Sequence, residues 1–173
     1  PLTISTTQTN IVCFGGSTGQ ATATPAGGTG VYTYVWNDPA PAQSTATVTG
    51  LTVGTWTVTV TDNNGCSSTV PVTITQPAAA LTIGITQTNI LCFGQSTGQS
   101  TATPGGGTLP YTYVWNDPAP AQSTQTVTGL TAATWTVTVT DSKGCTATNT
   151  VTITQPAAAL TVSTTQINVS CNG

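Results

Sequence analysis

The stretch Thr55-Trp56-Thr57-Val58-Thr59-Val60-Thr61-Asp62-Asn63-Asn64-Gly65-Cys66 decides the fold. Trp56, Val58 and Val60 alternate with threonines at period two, so an extended strand here has one apolar face and one hydroxyl-covered face. Aromatic and β-branched residues suit such a half-buried pleated surface. Asn64-Gly65 then favours the positive-φ turn of a tight hairpin. Cys66–Thr75 therefore returns antiparallel, with Val72 and Ile74 directed inward.

The same reading recurs 79 residues later, where Trp135, Val137 and Val139 alternate with threonine ahead of Asp141-Ser142-Lys143-Gly144-Cys145. Leu2–Ala80 and Leu81–Ala159 differ at 17 of 79 positions without an insertion, so the chain is a tandem array. The repeat boundaries fall at 1–80, 81–159 and 160–173, the last being the first strand of a truncated third copy. Working back from Thr55 in the first copy, strands are expected at Leu2–Val12, Gln20–Thr24, Val31–Asn37 and Ser44–Thr49. Gly- and Pro-rich turns separate them, and Asp38-Pro39-Ala40-Pro41 removes ladder donors and fixes φ. Tyr32, Tyr34 and Trp36 share one strand face. The expected architecture is all-β, with tandem immunoglobulin-like β-sandwich repeats forming an extended rod. Trp36, Trp56, Val58, Val60, Trp115, Trp135, Val137 and Val139 are the expected core. A domain of this size buries only about 60–65% of its unfolded surface, so neighbouring repeats and disulfides are expected to supply part of the stability. Gln76-Pro77-Ala78-Ala79-Ala80 is too short and too apolar for a loose tether.

Charged residues make up 3% of the chain, against roughly 25% in an ordinary domain. Glu, Arg, His and Met are absent. A serine or cysteine nucleophile would have no histidine to activate it, and Lys143 stands where the first copy has Asn64, so no catalytic residues and no cofactor are expected. A net charge of −3 with one cation offers no phosphate-neutralising patch, which argues against nucleic acid as a partner. Apolar residues alternate with threonine instead of running for ~18 or more, so no membrane insertion of this segment is expected. Asp62-Asn63-Asn64-Gly65 resembles a calcium loop only superficially. Lys143 occupies a would-be ligand position in the second copy, and a plain hairpin is the better reading. No metal site is expected.

Cys13-Phe14-Gly15, Gly27-Gly28-Thr29-Gly30-Val31-Tyr32-Thr33-Tyr34-Val35-Trp36 and the Leu51–Cys66 segment together resemble the SprB repeat of Bacteroidota surface adhesins. The second copy carries the pattern through Cys92, Tyr111–Trp115 and Trp135–Cys145, and Cys171-Asn172-Gly173 restarts it. The resemblance implies a very large cell-surface or secreted protein of many immunoglobulin-like repeats. It further implies export by the type IX pathway and a role in gliding motility or adhesion.

Cys13, Cys66, Cys92, Cys145 and Cys171 read as a disulfide framework of an oxidising compartment. Pairing within copies gives Cys13–Cys66 and Cys92–Cys145. In an immunoglobulin-like topology those partners lie at opposite ends of a sandwich, ~25–30 Å apart by strand rise, beyond the ~7 Å limit between Cα atoms. An inter-repeat Cys13–Cys145 bridge is slightly favoured on that ground, and reduced thiols are the third alternative. The expected role is the stalk of a surface adhesin or extracellular filament that projects a distal binding tip. Its partners would be neighbouring repeats of the same chain. A multivalent module for surface polysaccharide is a second reading, in which Tyr32/Tyr111 or Trp36/Trp115 must be exposed. A self-assembling fibre, with other copies of the filament as partners, is a third.

Overall fold

A computed structural model of the chain describes residues 1–37, 43–116 and 122–167. Asp38-Pro39-Ala40-Pro41, its counterpart at Asp117 and the cysteine at Cys171 lie outside the described residues. Twelve strands are the regular elements among those described. The first copy contains β1 (Thr3–Thr9), β2 (Gly19–Ala26), β3 (Thr33–Trp36), β4 (Thr47–Leu51), β5 (Gly54–Thr61) and β6 (Ser67–Ile74). The second contains β7 (Thr82–Thr88), β8 (Gly98–Gly105), β9 (Thr112–Trp115), β10 (Thr126–Leu130), β11 (Ala133–Thr140) and β12 (Thr146–Ile153).

Each copy builds two three-stranded sheets, β1-β2-β4 with β3-β5-β6 and β7-β8-β10 with β9-β11-β12. In immunoglobulin lettering these are the A-B-E and C-F-G strands of a constant-type sandwich, and among the described residues no strand lies between β3 and β4. Each repeat is therefore an immunoglobulin-like β-sandwich. The deciding stretch forms the central strand of its sheet. β5 pairs with β6 in a register that sets Trp56 against Val72 and Val58 against Val70, and with β3 so that Trp36 faces Val58 and Tyr34 faces Val60.

Period-two alternation divides the chemistry of the two faces as the strand geometry requires. Val58, Val60, Val72 and Ile74 are buried with Trp36, Val48 and Leu51 from the other elements. On the outer face the threonines pair across strands, with Thr59 and Thr69 hydroxyls 3.0 Å apart and Thr55 and Thr73 hydroxyls 3.4 Å apart. Pro71 lies in β6, an edge strand with one neighbour, where a missing ladder donor is tolerated.

Two expectations need correction. Trp56 is only half-buried, packing on the margin of the core, whereas Trp135 is fully buried. A Cβ on Gly54 would stand 4.0 Å from the Trp56 Nε1, and the second copy carries that methyl as Ala133. Residues 160–167 form no strand and are exposed throughout. The first strand of each complete copy is held in a sheet by the second strand of its own copy, as β1 is by β2.

The chain divides into two compact units. One comprises Pro1–Ile83, Pro104–Thr112 and Val139–Thr148, and the other comprises Gly84–Thr103, Tyr113–Thr138 and the residues from Asn149 onward. The first unit thus includes the β8–β9 loop and the β11–β12 hairpin along with the whole first copy.

Candidate functional site

The chemistry-bearing residues gather in the first unit around a covalent bond. Cys13 follows β1 in a turn closed by the Gly16 N–H donating to the Cys13 carbonyl at 3.1 Å, with Gly15 at φ 76°. The repeat linker holds this turn from the other side. Gln76 Oε1 accepts the Gly15 N–H at 2.9 Å, the Thr75 carbonyl accepts the Ile11 N–H at 2.9 Å, and Asn10 Oδ1 accepts the Thr75 N–H at 2.9 Å. The Gln-Pro-Ala junction therefore begins as fixed structure.

The opposing element is the hairpin between β11 and β12, organised by a buried carboxylate. Asp141 is 5% exposed. Its Oδ1 accepts the N–H groups of Lys143 and Cys145, each at 2.9 Å, and its Oδ2 accepts the Thr108 N–H at 2.9 Å. The backbone completes the clasp, with the Asp141 N–H donating to the Cys145 carbonyl at 2.9 Å and the Ser142 N–H to the Thr108 carbonyl at 3.0 Å. Burial raises the carboxyl's pKa, but the N–H groups of Cys145, Thr108, Lys143 and Gly144 stabilise the charged form and hold it below its ordinary value of 3.8. Gly107 must lack a side chain here, because a Cβ would come within 2.9 Å of the Asp141 carboxylate and its φ is +63°.

With turn and hairpin so fixed, Cys13 and Cys145 form a disulfide with an S–S distance of 2.04 Å and a Cα–Cα distance of 5.6 Å. The bond connects the first turn of one copy to the last hairpin of the next. Beside it Phe14, Ala80, Leu81, Gly144 and Thr146 line an open surface depression of about 280 Å³. Cys66 and Cys92 are exposed free thiols. Neither within-copy pairing, Cys13–Cys66 or Cys92–Cys145, is formed.

The first copy repeats the carboxylate clasp. Asp62 Oδ1 accepts the Asn64 and Cys66 N–H groups at 3.0 and 2.9 Å, and Oδ2 accepts the Thr29 N–H at 3.1 Å. The oxygens that a calcium loop would offer to an ion are thus engaged by backbone. Among the described residues no cluster of three His, Cys, Asp or Glu is placed to hold a metal. The turn residues had pointed only to a hairpin, and the carboxylate's role in clamping the β2–β3 loop was missed. A signal was present, since Asp62 and Asp141 match while their neighbours change from Asn63-Asn64 to Ser142-Lys143.

The candidate glycan-stacking aromatics are occupied internally. Trp36 and Trp115 are buried and donate Nε1–H to the Thr45 and Thr124 carbonyls at 3.0 and 3.1 Å. Tyr32 and Tyr111 are half-buried, and their hydroxyls donate to the Gly27 and Gly106 carbonyls at 2.6 and 2.5 Å, pinning the glycine loops that bear on the carboxylates.

Comparison with known proteins agrees with the motif reading. The profile of a family described as SprB repeat matches residues 5–41 and 84–120. Two stretches of the chain, one in each copy, match the SprB repeat. The matched stretches cover the Cys turn, the glycine loop and the Tyr-x-Tyr-x-Trp strand of each copy, while the Asp hairpins fall beyond them. No curated protein matches the sequence. Among solved structures, the C-terminal 282-residue fragment of intimin, in complex with the intimin-binding domain of its translocated receptor, is 21% identical with a TM-score of 0.45. The alignment covers 88% of this chain and 64% of that one. The amphioxus IgVJ-C2 molecule is 13% identical with a TM-score of 0.37, over 86% of this chain and 96% of that one. The extracellular domains 3–5 of Drosophila OTK are 14% identical with a TM-score of 0.36, over 78% and 54%. The chain thus spans less than two thirds of the intimin fragment's length.

Proposed function

We propose that this chain is a load-bearing segment in the stalk of a large bacterial surface adhesin or extracellular filament, carrying a distal tip used in adhesion or gliding. The observation that carries this reading is the Cys13–Cys145 bond, which ties two copies of the repeat across 132 positions of sequence. Such a bond adds nothing to ligand recognition and a great deal to resistance against extension. SprB repeats belong to repeat regions of the surface-adhesin type, and a structural disulfide persists in an oxidising, extracytoplasmic setting. The threonine-paired outer faces keep the sandwiches hydrated without charge. The aromatics that could stack on sugars are instead buried or tied to loop carbonyls.

Competition distinguishes a stalk from a binding module. Cells displaying the parent protein are allowed to attach to their substratum in the presence of excess soluble 173-residue chain. A stalk segment leaves attachment unchanged, and a multivalent binding module blocks it. Inhibition that rises with the concentration of the chain would replace the stalk reading with the glycan- or surface-binding one.

A further inference from the structure

A strand at the edge of a sheet presents N–H and C=O groups to which another chain can add. β4 and β6 hold edge positions in the first copy, and β10 and β12 in the second. Charge is a common guard of such edges, yet none of these four strands carries a charged side chain. Their outward polar groups are met in other ways.

The β4 edge is closed by neutral side chains. The Ala23 N–H donates to the Ala46 carbonyl at 2.8 Å and Ala21 stands opposite Val48, so Ala46 and Val48 turn toward β2 while Thr47 and Thr49 turn outward. Gln43 meets that outward edge as a neighbouring peptide group would. Its Oε1 accepts the Thr49 N–H at 3.0 Å, its Nε2 donates to the Thr49 carbonyl at 2.9 Å, and the Thr45 hydroxyl donates to the Thr47 carbonyl at 2.6 Å. The second copy repeats the clip, with Gln122 on Thr128 at 3.1 and 3.0 Å and Thr124 on Thr126 at 2.6 Å.

The other edge is closed differently in the two copies. The Thr57 carbonyl accepts the Asn37 N–H at 3.1 Å and its N–H donates to Asn37 Oδ1 at 2.6 Å, so Thr57 faces the β3 side. Pro71, opposite Thr57, therefore faces away from β5, and at that outward position it has no N–H to offer. The second copy has Thr150 there, which restores the N–H. It also changes the preceding residue from Val70 to Asn149, and Asn149 Oδ1 accepts the Thr150 N–H at 2.8 Å. Two adjacent differences between the copies thus withdraw the same outward donor by two routes. We propose that these neutral clips stop copies of this chain from pairing edge to edge, so that an almost uncharged protein does not zip onto its neighbours.

The test is sedimentation velocity from micromolar to millimolar concentration, the range in which exposed edges associate, with free thiols alkylated so that no intermolecular disulfide contributes. The parent chain should remain a 17.3 kDa monomer throughout. Asn149→Val bares the Thr150 N–H, and the weight-average mass should at least double over that range. Adding Thr150→Pro keeps the same valine but deletes the donor, and should return the monomer. Both substitutions copy residues that the first repeat already carries at Val70 and Pro71, so the fold accommodates them. Gln43→Ala with Gln122→Ala opens the β4 and β10 edges and should associate likewise, with near-ultraviolet circular dichroism reporting folded sandwiches. Should that pair of substitutions prevent folding, the Asn149 comparison decides alone. A parent chain that associates, an opened chain that is folded yet monomeric, or association that persists after Thr150→Pro would overturn the proposal.

Discussion

Asp62 occupies a position where one carboxylate ties the β2–β3 loop to the β5–β6 hairpin through three backbone amides. Its carboxylate accepts the N–H groups of Thr29, Asn64 and Cys66 while 6% exposed. Asp62→Ala leaves those amides without their acceptor, at a cost of about 2–3 kcal/mol, read as a lower urea midpoint with an unchanged slope. Asp62→Asn should lose less, because one amide oxygen still accepts. The second copy adds a pH dependence. The Asp141 carboxyl is depressed in the folded chain, so the unfolded chain binds the proton more tightly and acid favours unfolding. Its contribution is fully present above the ordinary carboxylate range near pH 4 and is lost as pH falls through the lower folded value. Urea midpoints measured from pH 6 down to pH 2 should therefore be flat and then fall below about pH 4. Asp141→Asn should flatten that fall, and an equally steep acid limb in the variant would contradict the assignment. None of this was legible from Asp62-Asn63-Asn64-Gly65 alone. A turn motif specifies the local bend, whereas the Thr29 contact comes from a loop 33 residues away.

At the scale of elements, period two was sufficient where a strand has one wet face and insufficient at its margins. Val58 and Val60 are fully buried and Thr55, Thr59 and Thr61 stand on the other side, as the alternation in β5 requires. Trp56 has the same phase but lies nearer the strand end, where Gly54 offers no methyl to cover it. Alternation identifies the face a residue is on, and depth depends on what the neighbouring element brings. This yields a graded prediction. Trp36→Ala empties a site that is 3% exposed and should cost about 3–5 kcal/mol, while Trp56→Ala should cost clearly less.

For the molecule as a whole, the covalent connectivity determines how tension travels. A pull on the two ends passes along the backbone to Cys13, across the S–S bond to Cys145, and onward, so the intervening backbone carries no load while the bond holds. The bond spans 132 positions. At about 3.3–3.6 Å per extended residue, that is on the order of 450 Å of contour withheld from extension. In single-molecule pulling the oxidised chain should therefore lengthen only through its terminal segments. Adding a phosphine reductant, or substituting Cys145→Ser, should release the withheld contour as the two sandwiches unfold. Equal extension with and without reductant would show that the bond does not lie in the load path. In a longer array whose Cys92 turn pairs with the hairpin of the copy that follows, successive loops overlap, because that bridge begins before Cys145 ends the first loop. A pull on such an array crosses from Cys13 to Cys145 and then follows the backbone only as far as the next bridge at Cys171, so most of each repeat is shielded while the disulfides hold. Reductant should then lengthen such an array in steps whose number grows with the number of repeats, and an extension independent of reductant would contradict this load path.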